Sequence, residues 1–194
     1  MNITYKIIES CLCFVGGLSL LSGCGPALVG GGAGVVDMAT QDRGVEGVLS
    51  DTEIRSKIDA AWLQKDPKLF THIGLAVQDG YVLLTGSVLD SKTRAEAVIL
   101  AWQVKGVKAV YDEIKVGEPH SFENAANDTW ISTKVRASLI GANGIHSNNY
   151  SVTTFNGDVY LLGIAQNQQE LRRAIQIAKS IKGVRNVVTH MQVK

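Results

Sequence analysis

The chain states one pattern twice. Asp51-Thr52-Glu53-Ile54-Arg55-Ser56-Lys57 returns as Asp128-Thr129-Trp130-Ile131-Ser132-Thr133-Lys134, and the offset of 77 residues then holds to the C-terminus without a gap. Asp79-Gly80 maps onto Asn156-Gly157, Gly86 onto Gly163, and Lys105-Gly106-Val107 onto Lys182-Gly183-Val184. A chain of 194 residues that repeats in this way holds two small modules, each near the lower limit for an independent core. Positions kept in both copies belong to the fold. Positions that differ are candidates for separate work.

Each copy carries the same local signals. Asp51 or Thr52 can cap a helix with Ile54, Ile58, Ala61 and Trp62 on its apolar face, and Asn127 or Asp128 does the same for Ile131, Val135, Ser138 and Leu139. Two strands follow, Ile73 to Gln78 and Tyr81 to Ser87, then Tyr150 to Phe155 and Asp158 to Gly163. They meet at Asp-Gly and Asn-Gly, dipeptides suited to a tight turn whose central residues both need positive φ. A second helix, Ser91 to Lys105 or Gln168 to Lys182, stops at Gly106 or Gly183, and a third strand closes the unit. The predicted fold class is α+β: two tandem α-β-β-α-β modules, each a three-stranded mixed sheet covered on one face by two helices.

The N-terminus has a different character. Lys6 precedes an apolar run from Cys11 to Leu20, too short for a comfortable membrane span, and the run closes on Leu21-Ser22-Gly23-Cys24. This resembles the bacterial lipobox, which implies a signal peptide over 1–23 and Cys24 as an acylated N-terminus carrying palmitate or a similar chain. Cys11 and Cys13 would leave with the signal peptide, so no intramolecular disulfide is expected. Several acyl chains anchor durably where one would not. Gly25 follows the cysteine where aspartate would signal inner-membrane retention, so the resemblance implies sorting to the outer membrane, facing the periplasm. Residues 24–50, with Gly30-Gly31-Gly32-Ala33-Gly34, read as a flexible tether; no Gly-Lys-Ser/Thr ending supports a phosphate loop.

The element order, the glycine-flanked hairpin and the late Lys-Gly-Val turn resemble the BON domain, over 51–117 and 128–194 with a linker at 118–127. The lipobox, Val110-Tyr111-Asp112-Glu113-Ile114 and the long stretch Asn127 to Arg136 are similar to the dual-BON outer-membrane lipoproteins. That resemblance implies peripheral binding of anionic phospholipid by the first helix of the second module, in support of envelope integrity. Carried over residue by residue, the contact falls on Trp130, Thr133, Lys134, Arg136 and Ala137.

The differences between the copies bear on the same question. Residues 51–117 hold nine Lys/Arg and nine Asp/Glu, whereas 128–194 hold eight Lys/Arg and three acids, a net charge of +5. Such asymmetry points to an anionic partner for the second half, and an acidic membrane leaflet is the nearest one. Trp130 stands where the first module has Glu53, beside Lys134 at helical spacing. The alternatives are an indole at the lipid interface and an indole that covers the seam between modules or the hairpin. If the lipid face lies elsewhere, Arg172, Arg173 and Lys179 of the second helix are the other basic set. The first module alone has an apolar stripe, Ala95, Ile99 and Trp102, matched by Arg172, Gln176 and Lys179 in the second. It is either ordinary surface or a patch on which the second module or another envelope protein docks.

No enzyme chemistry is expected. His72, His120, His146 and His190 lie apart without metal-ligand spacing, no Gly-x-Ser-x-Gly elbow occurs, and Asp112 and Glu113 point to opposite faces of a strand. No catalytic residue, cofactor, metal or nucleic-acid partner is assigned. The overall charge of +1 gives no signal for nucleic acid.

Overall fold

A computed structural model of the protein describes residues 44–118 and 122–194. The signal peptide, Cys24 and most of the expected tether lie outside the described residues. The first module runs α1 (Gly44–Lys65), α2 (Pro67–His72), β1 (Ile73–Gln78), β2 (Tyr81–Val88), α3 (Ser91–Trp102) and β3 (Ala109–Val116). The second runs α4 (Phe122–Ile140), a single 3-10 turn (Ser147–Asn149), β4 (Tyr150–Phe155), β5 (Asp158–Ala165), α5 (Gln168–Ser180) and β6 (Asn186–Val193).

Both sheets are three-stranded, ordered β1-β2-β3 and β4-β5-β6, with an antiparallel hairpin and a parallel third strand. The hairpins close at Asp79-Gly80 (φ 52 and 76°) and Asn156-Gly157 (φ 51 and 79°), the left-handed pair that such a turn requires. Gly86 and Gly163 are fold positions for a harder reason. At φ 126 and 141°, a Cβ on either would stand 2.2 Å from the His72 carbonyl oxygen or 2.0 Å from that of Asn149, so only glycine lets the chain entering β1 or β4 pass.

Several boundaries differ from the sequence reading; β2 and β5 run on to Val88 and Ala165. Helix α1 begins at Gly44, taking in the last residues of the expected tether, and α4 begins at Phe122, inside the expected linker. Asp51 and Asp128 are therefore not caps but interior helix residues, because their carboxylates are used elsewhere. Asp51 accepts from the N–H of Asp79 at 2.7 Å and Gly80 at 2.8 Å, and Asp128 accepts from Asn156 at 2.6 Å and Gly157 at 2.8 Å. In each module one buried carboxylate ties the first helix to the tip of the hairpin. Lastly, α3 and α5 stop before Lys105 and Lys182: the N–H groups of Val104, Val107, Ile181 and Val184 each bond three residues back, tightening the chain into turns before the glycine.

Each module closes its own core. Ile54, Ile58 and Trp62 of α1 pack with Ala97 and Ala101 of α3 over Leu75, Val82, Leu84 and Ile114. Ile131, Val135 and Leu139 pack with Ala174 and Ala178 over Val152, Val159 and Leu161. Alanines on the second helix let it approach the sheet closely, and the buried Trp62 indole donates to the Ala97 carbonyl at 3.2 Å.

The other face of each sheet covers the other sheet. Ala76 and Leu83 pack against Phe155, Tyr160 and Leu162, flanked by Tyr81, Tyr111 and Val188, so the layers run helix, sheet, sheet, helix. The seam follows the repeat: β1 meets β4, β2 meets β5, and β1–β5 contact is reciprocated by β2–β4. Between the outer strands β3 and β6 the His190 Nε2 lies 3.0 Å from the Glu113 Oε1. Residues 113 and 190 occupy the same position of the two copies, so this pair marks a pseudo-twofold relation between them. Tyr111 stacks on His190 with centroids 4.2 Å apart. Residues 44–194 thus contain two complete cores and the interface joining them.

Candidate functional site

Helix α4 is pinned along one side. Its core residues face the sheet, Asp128 holds the hairpin tip, the Ser132 hydroxyl donates to Thr154 at 2.8 Å, and Arg136 donates to the Val152 carbonyl on edge strand β4. What remains faces solvent: Trp130, 46% exposed, with Thr133, Lys134 and Ala137. The Lys134 ammonium sits 5.8 Å from the centre of the Trp130 ring, a cation–π placement. The hydroxyls of Thr129 and Thr133 donate to carbonyls one turn back, Ala125 at 2.9 Å and Thr129 at 2.8 Å. Hydroxyls satisfied within the helix can leave water with little penalty.

Of the residues singled out from sequence, the structure brings Trp130, Thr133, Lys134 and Ala137 onto one outward face. Arg136 stands apart, turned to the sheet edge between two shallow grooves of about 310 and 290 Å³. Trp130 is not part of the apolar cluster at the seam. Ile140, 69% exposed, extends the same face and was missed, although its spacing from Trp130, Thr133 and Ala137 was readable. Its equivalent Leu63 is also exposed, so Ile140 adds area to the face without distinguishing the modules.

The matching face of the first module has different chemistry. There Lys57 donates to Glu53 at 2.6 Å, so the position of the indole holds a carboxylate already paired. The apolar stripe on α3 is exposed too, with Ile99 at 55% and Trp102 at 50%. Docking of the second module on Ala95, Ile99 and Trp102 is therefore corrected: the modules meet through their sheets, where β2 and β5 are buried on both faces and Ala76 and Leu83 pack against Phe155, Tyr160 and Leu162.

The BON domain profile matches residues 50–118 and 127–194. This chain belongs to the BON domain family. It is 30% identical over 187 residues to the outer membrane lipoprotein DolP of Haemophilus influenzae, covering 95% of this chain and 96% of that protein. An uncharacterised protein from the gshII 5′ region of Anaplasma centrale is 39% identical over 147 residues, 75% of this chain and 96% of that one. The osmotically inducible protein Y of Escherichia coli is 30% identical over 148 residues, 75% and 74% of the two chains.

The two BON modules, BON1 and BON2, also differ in how they hold the loop after the first helix. In BON2 the buried Glu170 accepts from the N–H of His146 at 2.6 Å and of Gln166 at 2.8 Å, with the His146 ring 3.2 Å away. BON1 has Thr93 at this position. Burial alone would raise the Glu170 carboxyl, but the donated backbone hydrogen bonds outweigh it and hold the group below its ordinary range. A depressed folded-state pKa contributes stability that is present above the unfolded value, about 4.3, and is lost as pH falls through the folded one. Glu170→Gln should cost about 2 kcal/mol at neutral pH, since one charged acceptor of two bonds is lost. Urea unfolding should show that cost shrinking as pH falls below the unfolded value and through the lower folded one. Equal cost at neutral and acid pH would refute the assignment.

Edge strands β1 and β4 are treated alike by different means. Arg55 donates to the Leu75 carbonyl and Arg136 to the equivalent Val152 carbonyl, yet the two arginines sit one helical turn apart in the repeat. Both satisfy a carbonyl that an edge would leave open. This favours a structural share for Arg136. Among the described residues no group of three or more His, Cys, Asp or Glu side chains could hold a metal, and no helix is long and apolar enough to cross a membrane.

Proposed function

We propose that this protein is a lipid-anchored envelope protein, attached to the outer membrane through Cys24, whose BON2 module lays the outer face of α4 on anionic phospholipid and so supports membrane integrity. The observation that carries the reading is the exchange at one exposed helix position: Glu53 paired with Lys57 in BON1, Trp130 over Lys134 in BON2. A surface meant for water keeps the ion pair. A surface meant for an acidic lipid interface discards the carboxylate, keeps the cation and presents an aromatic ring at headgroup level. The charge of +5 over 128–194 acts in the same sense, and the relative that spans nearly the whole chain is named an outer membrane lipoprotein. Binding is peripheral, and no turnover is assigned.

Flotation of residues 44–194 with vesicles tests this. The protein should float with vesicles containing phosphatidylglycerol in about 0.1 M salt and stay behind in about 1 M, where the screening length falls from about 10 to 3 Å. Neutral phosphatidylcholine vesicles should bind poorly at both. Equal flotation with neutral and anionic vesicles would sink the reading. For the anchor, Cys24→Ala should release the full-length protein from washed membranes and end its labelling with palmitate.

The exposure of Ile99 and Trp102 favours a second role, docking of an envelope protein on BON1. If that role dominates in the cell, Trp102→Glu rather than Trp130→Glu will cause detergent sensitivity.

A further inference from the structure

Each sheet has two edge strands, β1 and β3 in BON1, β4 and β6 in BON2. Among the described residues, three of these four edges carry a side chain on their open backbone. Arg55 serves β1 and Arg136 serves β4. On β3 the Asp112 carboxylate accepts from the Ile114 N–H at 3.1 Å and from the Arg94 Nε of α3 at 2.8 Å. An incoming strand would find that donor taken and a negative charge beside the carbonyls it must approach.

Strand β6 is the exception. The Lys194 N–H donates to Ala165 at the end of β5 at 3.1 Å, and backbone direction alternates along a strand, so the N–H and C=O groups of Val187, Thr189, Met191 and Val193 point away from β5. Thr189 stands where BON1 has Asp112, and Leu171 where it has Arg94. Both charges of the cap are gone, and among the described residues no side chain takes their place on the Met191 N–H. Strand β3 holds Asp112, Glu113 and Lys115, whereas β6 holds no Asp, Glu, Lys or Arg. Ile114 is buried, but Met191 in its place is only partly so, as are Leu171 and Val187 beside it. Around this open apolar edge the charges are of one sign. Arg172, Arg173 and Lys179 lie on α5, Lys182 follows it, and Arg185 and Lys194 bracket β6, while the one acid of α5, Glu170, is buried.

We propose that β6 is a docking edge, where an extended segment of another protein, alternating apolar and acidic residues, adds as a fourth strand of the BON2 sheet. Its backbone pairs with the outward groups of Thr189 and Met191, its apolar side chains extend the cover over Leu171 and Met191, and its acids meet the surrounding cations. A second copy of this chain fits worse, because it would set one module of charge +5 against another. The surface is separate from the lipid face: α4 reaches β4 through Arg136, and β4 is the opposite edge of the sheet. BON1 cannot take a strand at the matching place, because Asp112 and Arg94 close it.

The experiment titrates the full chain carrying Cys24→Ala with a capped peptide of about seven residues, the length of a short strand, that alternates valine with glutamate. Amide resonances from Val187 to Val193 should shift, and hydrogen exchange should slow at Thr189 and Met191. A peptide with lysine in place of glutamate should bind at least about tenfold more weakly. Moving the BON1 cap across, Leu171→Arg with Thr189→Asp, should keep the protein folded, since BON1 carries that pair at the same positions, and should weaken binding about tenfold or more. Thr189→Pro, which removes only an outward N–H and is tolerated on an edge, should weaken it as much and serves if the double variant unfolds. No shift in β6 at about 1 mM glutamate peptide, or undiminished binding by the capped or proline variant, overturns the proposal. If copies of the chain associate through β6 and the cap separates them, the occupant is a second copy and the acidic partner is wrong.

Discussion

Trp130→Glu should leave the protein folded and lower affinity for anionic vesicles about 300-fold. The fold survives because BON1 carries glutamate at the equivalent position, on a helix with the same core face and the same carboxylate tie to the hairpin. The loss has two parts. An indole buries about 150–250 Å² when covered, and the exposed half of this one, about 100 Å² at 25 cal/mol per Å², contributes about 2.5 kcal/mol. A negative charge at an acidic surface removes about 1 kcal/mol more. Circular dichroism and thermal unfolding report the first half of the result, vesicle titration the second. A variant that unfolds shows Trp130 to be core; one that stays folded and binds like the wild type moves the lipid face off α4.

Asp128→Ala should destabilise BON2 by about 3–5 kcal/mol. Asp128 is 4% exposed and accepts both N–H groups at the hairpin tip. Hydrogen bonds to a charged group contribute about 1.5–3 kcal/mol each, and alanine leaves two donors without an acceptor in a place water reaches poorly. Against a typical domain stability of about 5–15 kcal/mol, that is a large fraction. Asp128→Asn retains one acceptor oxygen and should cost about half as much. Because this carboxylate also sets how α4 lies on the hairpin, vesicle binding should fall in parallel with stability for Asp128→Ala. A cost below about 1 kcal/mol in urea unfolding would show that the turn holds itself without the helix. Asp51→Ala should behave likewise in BON1, where the same two bonds are made to Asp79 and Gly80.

Much of the fold was legible before any coordinates. Periodicity located the helices and strands, Asp-Gly and Asn-Gly located the hairpins, and the gapless repeat required both modules to be alike. Trp130 and Lys134 were readable as an outward pair because Ile131, Val135 and Leu139 had to face the core. The role of Asp51 and Asp128 was misread, since an acid ahead of an apolar helix resembles a cap. The signal was present nonetheless: both copies keep that acid 28 residues before the turn it holds. Arg136 was grouped with the lipid face because helical spacing gives only an angle around the helix. An edge carbonyl on β4 decides where its guanidinium goes.

Local and repeated features follow from the residues alone: two α-β-β-α-β units, their turns, their core faces and their unequal charge. Tertiary structure decided everything that depends on bringing separate stretches together. Strand patterning predicted one covered face of each sheet, whereas β2 and β5 are buried on both. Only the folded chain sets sheet against sheet, pairs Glu113 with His190 across the repeat, and leaves Ile99 and Trp102 uncovered. The reason is physical. Apolar burial is non-directional and fixes how much surface must be hidden, whereas the partner that hides it is chosen by shape and by hydrogen bonds between residues far apart in the chain.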